Sequence, residues 1–201
     1  MIHLLSISGW GGYNISPTFT LPAAKKRILF FLGAGTSNSG TRNPVYNNTP
    51  MTVFKSIGAG YGAEGSATIA YLEIPDDWSG TYPVSGQMVT SYMMVCFGGA
   101  KRTDSYLAKH QINGTSVEAT SVNVAVESRP SGLFVAVLHT LNRTNNVTNL
   151  KLLYKTSDIC VGYATPSSAS FTPDFTFTRG MVAYQSATFK PKPDYGSVTI
   201  I

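Results

Sequence analysis

The stretch AAKKRILFFLGAGTSNSG, residues 23–40, decides how this chain is read. Three basic residues, Lys25, Lys26 and Arg27, precede five large apolar ones, Ile28 to Leu32, and a glycine-rich tail follows. A membrane or signal segment, the strand and glycine loop of a nucleotide site, and an inner strand of an all-β core all begin this way. The apolar run is far shorter than the roughly 20 residues that a membrane-spanning helix needs. The N-terminal MIHLLSISGWGGYN lacks the basic n-region of a secretory signal. The expectation is a chain with no export or membrane-anchoring signal and no membrane partner. The glycines Gly33, Gly35 and Gly40, and the second glycine loop at Gly58, Gly60, Gly62 and Gly65, are not followed by Lys-Ser/Thr. Neither loop opens a helical pattern, so no helix N-terminus is present to hold phosphate. An inner β-strand remains.

Two other runs share its character, MMVCFGG (93–99) and LFVAVLHT (133–140), each apolar on both faces. Strands of that kind are covered on both sides. In a sandwich one face normally meets solvent, so the second cover has to be loops or another chain, which points toward assembly. Around these runs, short apolar stretches recur between turn clusters, and long amphipathic helix patterns are absent. ISPTFTL carries Pro17 and reads as an edge strand. DDWSGTYPVSG reads as loop, NRTNNV as turn, and SYLAKHQING as a connection with some strand character. The series gives about ten strands and an all-β fold: an antiparallel β-sandwich, jelly-roll-like. Residues 1–189 form one sandwich domain in this reading. Residues 190–201, within FKPKPDYGSVTII, form an extended C-terminal arm, stiff where Pro alternates and apolar at its end.

Hydrophobic residues make up 43% of the 201 and charged residues only 12%, well below the quarter usual for a soluble domain. Ser, Thr and Asn supply the polar surface instead, a composition that suits β-rich virion or extracellular proteins. The formal net charge is +5, yet no Lys or Arg lies between Lys55 and Lys101. Nucleic-acid footprints cluster, and this one does not; a charge-complementary acidic protein surface fits Lys25, Lys26 and Arg27 better. Cys96 and Cys160 sit in apolar surroundings, too few and too far apart for a disulfide framework, and read as small buried side chains.

No signature of catalysis emerges. His3, His110 and His139 lack metal-ligand spacing, and no Gly-x-Ser-x-Gly elbow occurs. Asp76 and Asp77 are adjacent in a loop and do not make a hydrolytic pair. The chain reads as a non-enzyme without cofactor or metal. Trp10, Tyr13, Trp78 and Tyr82 lie in glycine-rich or polar loops, where exposed aromatics stack on sugars; the competing reading is that they close the ends of the sandwich.

The order TFTLPAAKKRILFFLGA, PVYNNTPMTVFKS, ATIAYLEIP and a strand ending in Gly-Gly resembles a β-sandwich module of tailed-phage virion structural proteins. Val45, Tyr46, Asn47, Met51 and Thr52 match its hairpin, with Asn48 where Gly is usual; Tyr71, Leu72 and Pro75 match its next strand. The resemblance spans roughly residues 17–188 and brings no catalytic residues. It implies a bacteriophage structural protein located in the virion, a capsid decoration or head-associated protein. Its partners would be major capsid or tail proteins and further copies of itself. The expected assembly contacts are Lys25, Lys26, Arg27, Lys190, Lys192, Tyr195, Ile200 and Ile201. The alternative is a glycan- or receptor-binding module of a tail or fibre, using Trp10, Tyr13, Trp78 and Tyr82.

Overall fold

The computed structural model of the chain describes residues 2–11, 18–35, 42–54, 57–58, 66–87, 91–99, 107–113, 119–122, 125–127, 130–140, 144–180 and 182–189. These residues contain strands and no helix. The first half holds β1 (His3–Ile7), β2 (Thr18–Leu21), β3 (Arg27–Gly35), β4 (Arg42–Tyr46), β5 (Thr49–Pro50), β6 (Thr52–Val53), β7 (Ile57–Gly58), β8 (Ser66–Ile74), β9 (Gly80–Gln87) and β10 (Ser91–Gly98). The second half holds β11 (Leu107–Asn113), β12 (Ala119–Val122), β13 (Val126–Glu127), β14 (Leu133–Thr140), β15 (Thr144–Thr148), β16 (Lys151–Lys155), β17 (Ile159–Ala164), β18 (Ser170–Phe171), β19 (Asp174–Gly180) and β20 (Val182–Phe189).

All ladders are antiparallel, and the two halves repeat one connectivity. In the first half, β1 pairs β10, β2 pairs β9 and β3 pairs β8, nested from the outside in. Cross-pairs β10–β3 and β9–β4 then close two sheets, ordered β1-β10-β3-β8-β6 and β2-β9-β4-β5. In the second half, β11 pairs β20, β12 pairs β19, β13 pairs β18 and β14 pairs β17, the same nesting with the short β13–β18 ladder added. The cross-pairs are β20–β14 and β19–β15, and the sheets run β11-β20-β14-β17-β16 and β12-β19-β15. Each half of the described residues thus holds a pair of sheets, and the β1-β10-β3-β8-β6 and β11-β20-β14-β17-β16 sheets share one core face to face.

The stack has four layers, and its side chains alternate accordingly. Ile28, Phe30 and Leu32 of β3 join Ile69 of β8, Met93 and Val95 of β10, Leu133, Val135 and Val137 of β14, Val161 and Phe189 in one central core between the two halves. The intervening residues Leu29, Phe31, Met94 and Cys96 face the other way, onto Phe19, Leu21, Tyr46 and Val84 of the β2-β9-β4-β5 sheet and onto Met51 just after it. In the second half Phe134, Ala136, Leu138, Cys160 and Tyr184 face Phe175 of the β12-β19-β15 sheet. Period-two alternation with apolar residues at every position thus follows from cover on both faces. The chain supplies both covers itself, which removes the argument that these strands need another subunit.

Three local readings change. β9 is a strand inside the segment that reads as loop. It tolerates Pro83 because Val84 opposite Tyr46 is its last ladder pair with β4, and beyond it the Pro83 carbonyl accepts the Asn47 N–H at 3.1 Å. The missing Pro83 donor therefore faces a turn and not a strand. β15 (Thr144–Thr148), whose residues up to Val147 fall in the NRTNNV read as a turn, pairs with β19, and SYLAKHQING contains the edge strand β11. The hairpin at Tyr46–Thr49 closes through Asn47 and Asn48, both left-handed at φ 48° and 57°. Two successive positive φ values define the type I′ turn, and Asn is the non-glycine residue best suited to it.

Candidate functional site

The basic entry to β3 is partly a structural fastening. Arg27 is 0% exposed. Its Nη1 donates to the Pro22 carbonyl and its Nη2 to the Pro75 carbonyl, each at 2.7 Å. It lies on the β3 face shared with Leu29 and Phe31, so the guanidinium ties the segments before β3 and after β8 together from inside. A buried guanidinium held by backbone carbonyls cannot also meet a partner surface. Lys25 and Lys26 are exposed, but the Lys26 N–H donates to Asp76 Oδ1 at 2.9 Å, so an acidic turn lies alongside. Lys190, Lys192, Tyr195, Ile200 and Ile201, like Tyr13, lie outside the described residues.

The described loop aromatics fall in two separate places. Trp10 stacks on Tyr154 at 4.6 Å with planes 4° apart and packs against the central core. Trp78 and Tyr82 pack instead on the core of the first half, 5.9 Å apart, with Tyr82 edge-on to Tyr46 and its hydroxyl donating to the Ser79 carbonyl. Each ring is half-buried and has a face or edge against the fold. They close the sandwich, as large aromatics with one polar end commonly do.

Cys96 and Cys160 are free and buried in different cores, on opposite sides of the molecule's central layer. Burial pushes each thiol up to about 12, so neither is a nucleophile at neutral pH. His139 is 3% exposed at the end of β14, with Nε2 4.0 Å from Asp158 Oδ2. Burial lowers its pKa from the usual 6.5, and the Asp158 charge opposes that shift without cancelling it. Among the described residues no group of three or more His, Cys, Asp or Glu side chains could hold a metal ion.

Among the described residues the structure assembles a concave site that the sequence does not announce. A cleft of about 580 Å³ lies where the start of the chain meets the second half, lined by Ile2, His3, Leu4, Pro130, Ser131, Lys151, Tyr163, Thr165, Pro166 and Ser167. A second depression of about 390 Å³ shares Lys151, Tyr163 and the 165–167 wall. β17 positions Tyr163, whose ring packs edge-on against Phe97 at 5.0 Å, and β16 places the Lys151 ammonium 5.8 Å over that ring. The Ser131 N–H donates to the Pro166 carbonyl at 3.0 Å and joins two walls, with Ser131 itself left-handed at φ 62°. Its volume falls in the range of small-molecule sites. In sequence these residues are scattered through ESRPSG, NLKLL and GYATPSS, and no spacing links them. No family model, curated protein or solved structure matches the chain.

Proposed function

We propose that this chain is a structural protein of a bacteriophage virion, a capsid decoration or other head-associated assembly protein, acting through protein contacts and without a cofactor. The observation that carries the reading is the doubled strand order. Pairing nested from the outside in and closed into two sheets is found in each half, and we read it as a jelly-roll-like order. Jelly rolls build viral capsids and also serve as lectins; one fold hosts many functions, so the step to a virion is by analogy. The low charge, the Tyr46–Thr49 hairpin that resembles phage modules and the KPKP arm support it from the sequence.

The contact surface has to be drawn differently from the sequence-based expectation. Arg27 leaves it. The edge strands enter it: Ile7 on β1 and Leu152 on β16 are 42% and 47% exposed, the large apolar side chains most open to solvent among the described residues. Lys25, Lys26 and the arm with Lys190, Lys192, Tyr195, Ile200 and Ile201 remain proposed contacts. Mass spectrometry and cross-linking of purified particles test the reading. The expected result is this chain at stoichiometric copy number, cross-linked to capsid or tail proteins; its absence from particles ends the proposal. Deleting residues 190–201 tests the arm separately, and an unchanged oligomeric state and unchanged particle binding would remove it.

A glycan-binding module of a tail or fibre is the second reading. The cleft beside Tyr163 favours it, whereas Trp10, Trp78 and Tyr82 do not.

A further inference from the structure

We infer that the cleft between the N-terminal strand and the 165–167 wall binds a saccharide carrying a carboxylate, such as a terminal uronic or sialic acid. The inference deepens the glycan-binding reading of this cleft and rests on it, and it does not depend on the assembly reading.

The lining selects the charge of the ligand first. Lys151 and His3 border the cleft, and among the described residues no Asp or Glu lines it or the adjoining depression. A cationic ligand would find no counter-charge there, while a carboxylate would find an ammonium. The Lys151 ammonium lies 5.8 Å over the Tyr163 ring, and Tyr163 is itself packed against Phe97. The cation is therefore placed beside the wall, where a bound carboxylate can reach it.

The rest of the lining selects the ligand class. Ser131, Thr165 and Ser167 bring hydroxyls, which both donate and accept and so match sugar hydroxyls of either role. Ile2, Leu4, Pro130 and Pro166 bring apolar surface for the C–H face of a sugar ring. A simple inorganic anion would use the cation and leave that apolar surface without a partner. The walls are also set in advance: two prolines restrict them, and the Ser131–Pro166 hydrogen bond joins them. A preformed, mixed polar and apolar cleft with few fixed polar groups is the usual form of a small-ligand site.

The test is calorimetric titration of the full-length protein with sialic- and glucuronic-acid-terminated oligosaccharides, their neutral galactose- and glucose-terminated counterparts, and an aspartate-rich peptide. The acidic saccharides should bind roughly tenfold or more tightly than the neutral ones. Lys151→Gln should erase that preference, whereas Lys155→Gln, exposed on the same strand, should keep it. Thr165→Val should weaken all saccharides together, because it removes a hydroxyl and leaves the charge. Circular dichroism establishes that each variant is folded; Lys151 is exposed, so its loss leaves the core intact. No saccharide binding, equal binding of acidic and neutral forms, a preference that survives Lys151→Gln, or binding of the peptide as tight as that of the sugars would each overturn the inference.

Discussion

Arg27 shows how far a side chain's role can depart from its appearance in the sequence. In KKRILFF it looks like the last of three surface cations, yet it is fully buried with two carbonyls on its guanidinium and Nε without an acceptor among the described residues. Arg27→Met should cost about 3 kcal/mol, the loss of two charge-assisted hydrogen bonds offset in part by easier burial, read as a lower urea midpoint. Lys25→Ala, at an exposed position, should leave the midpoint unchanged. His139 carries a pH signature. Its folded pKa lies below the unfolded 6.5, so the unfolded chain binds more protons as the pH falls through that value. Stability should be intact above about pH 7 and decline below the unfolded pKa until the folded pKa is reached. His139→Gln should flatten this acid-side slope in denaturant titrations between about pH 5 and pH 7; an unchanged slope would place the effect on other groups.

At the scale of the element, turn and ladder chemistry decide what single substitutions do. Asn47 and Asn48 both occupy left-handed backbone in the β4–β5 hairpin. Asn48→Gly should stabilise the protein by about 0.5–1 kcal/mol, since glycine carries no Cβ penalty there. A β-branched Val at the same position should destabilise it, and thermal melts of the pair give the comparison. Gly86 is the opposite case. At φ 128° a Cβ would sit 2.5 Å from the Asn43 carbonyl oxygen, where the β4–β9 register shifts. That contact is with backbone, which cannot rotate away, so Gly86→Ala should cost about 2 kcal/mol or more. The strands themselves were legible where apolar residues run together, as in β3, β10 and β14. They were hidden where Pro, Asn and Thr are common, as in β9 and β15, because cross-strand pairing there outweighs local propensity.

For the whole molecule, the central core belongs to neither half. Phe189 of β20 sits among Phe30, Tyr71 and Phe54 of the first half, with centroids 4.8, 5.4 and 5.9 Å away, and the Trp10–Tyr154 stack spans the same boundary. Phe189→Ala should therefore cost about 3–5 kcal/mol and weaken the contact between the halves. Expressed separately, residues 1–100 and 101–201 should each expose the inner faces of a sheet and aggregate, and should recover solubility when co-expressed. A half that unfolds cooperatively as a monomer by itself would contradict this account of the core.

Amino-acid pattern alone was enough for the all-β class, the inner position of β3, β10 and β14, the edge position of β2 and the burial of both cysteines. Those properties depend on period-two patterning and on what a strand's own residues require, and both are local. The identity of the second cover, the fastening role of Arg27 and the cleft of Lys151, Tyr163 and Ser131 were settled by the tertiary structure only. Each depends on which distant segments meet: nested pairing brings β1 beside β10, and the central core brings the first half against the second. A strand's sequence states that it must be covered on both faces, because exposed apolar surface is costly; it carries no record of which segment provides the cover.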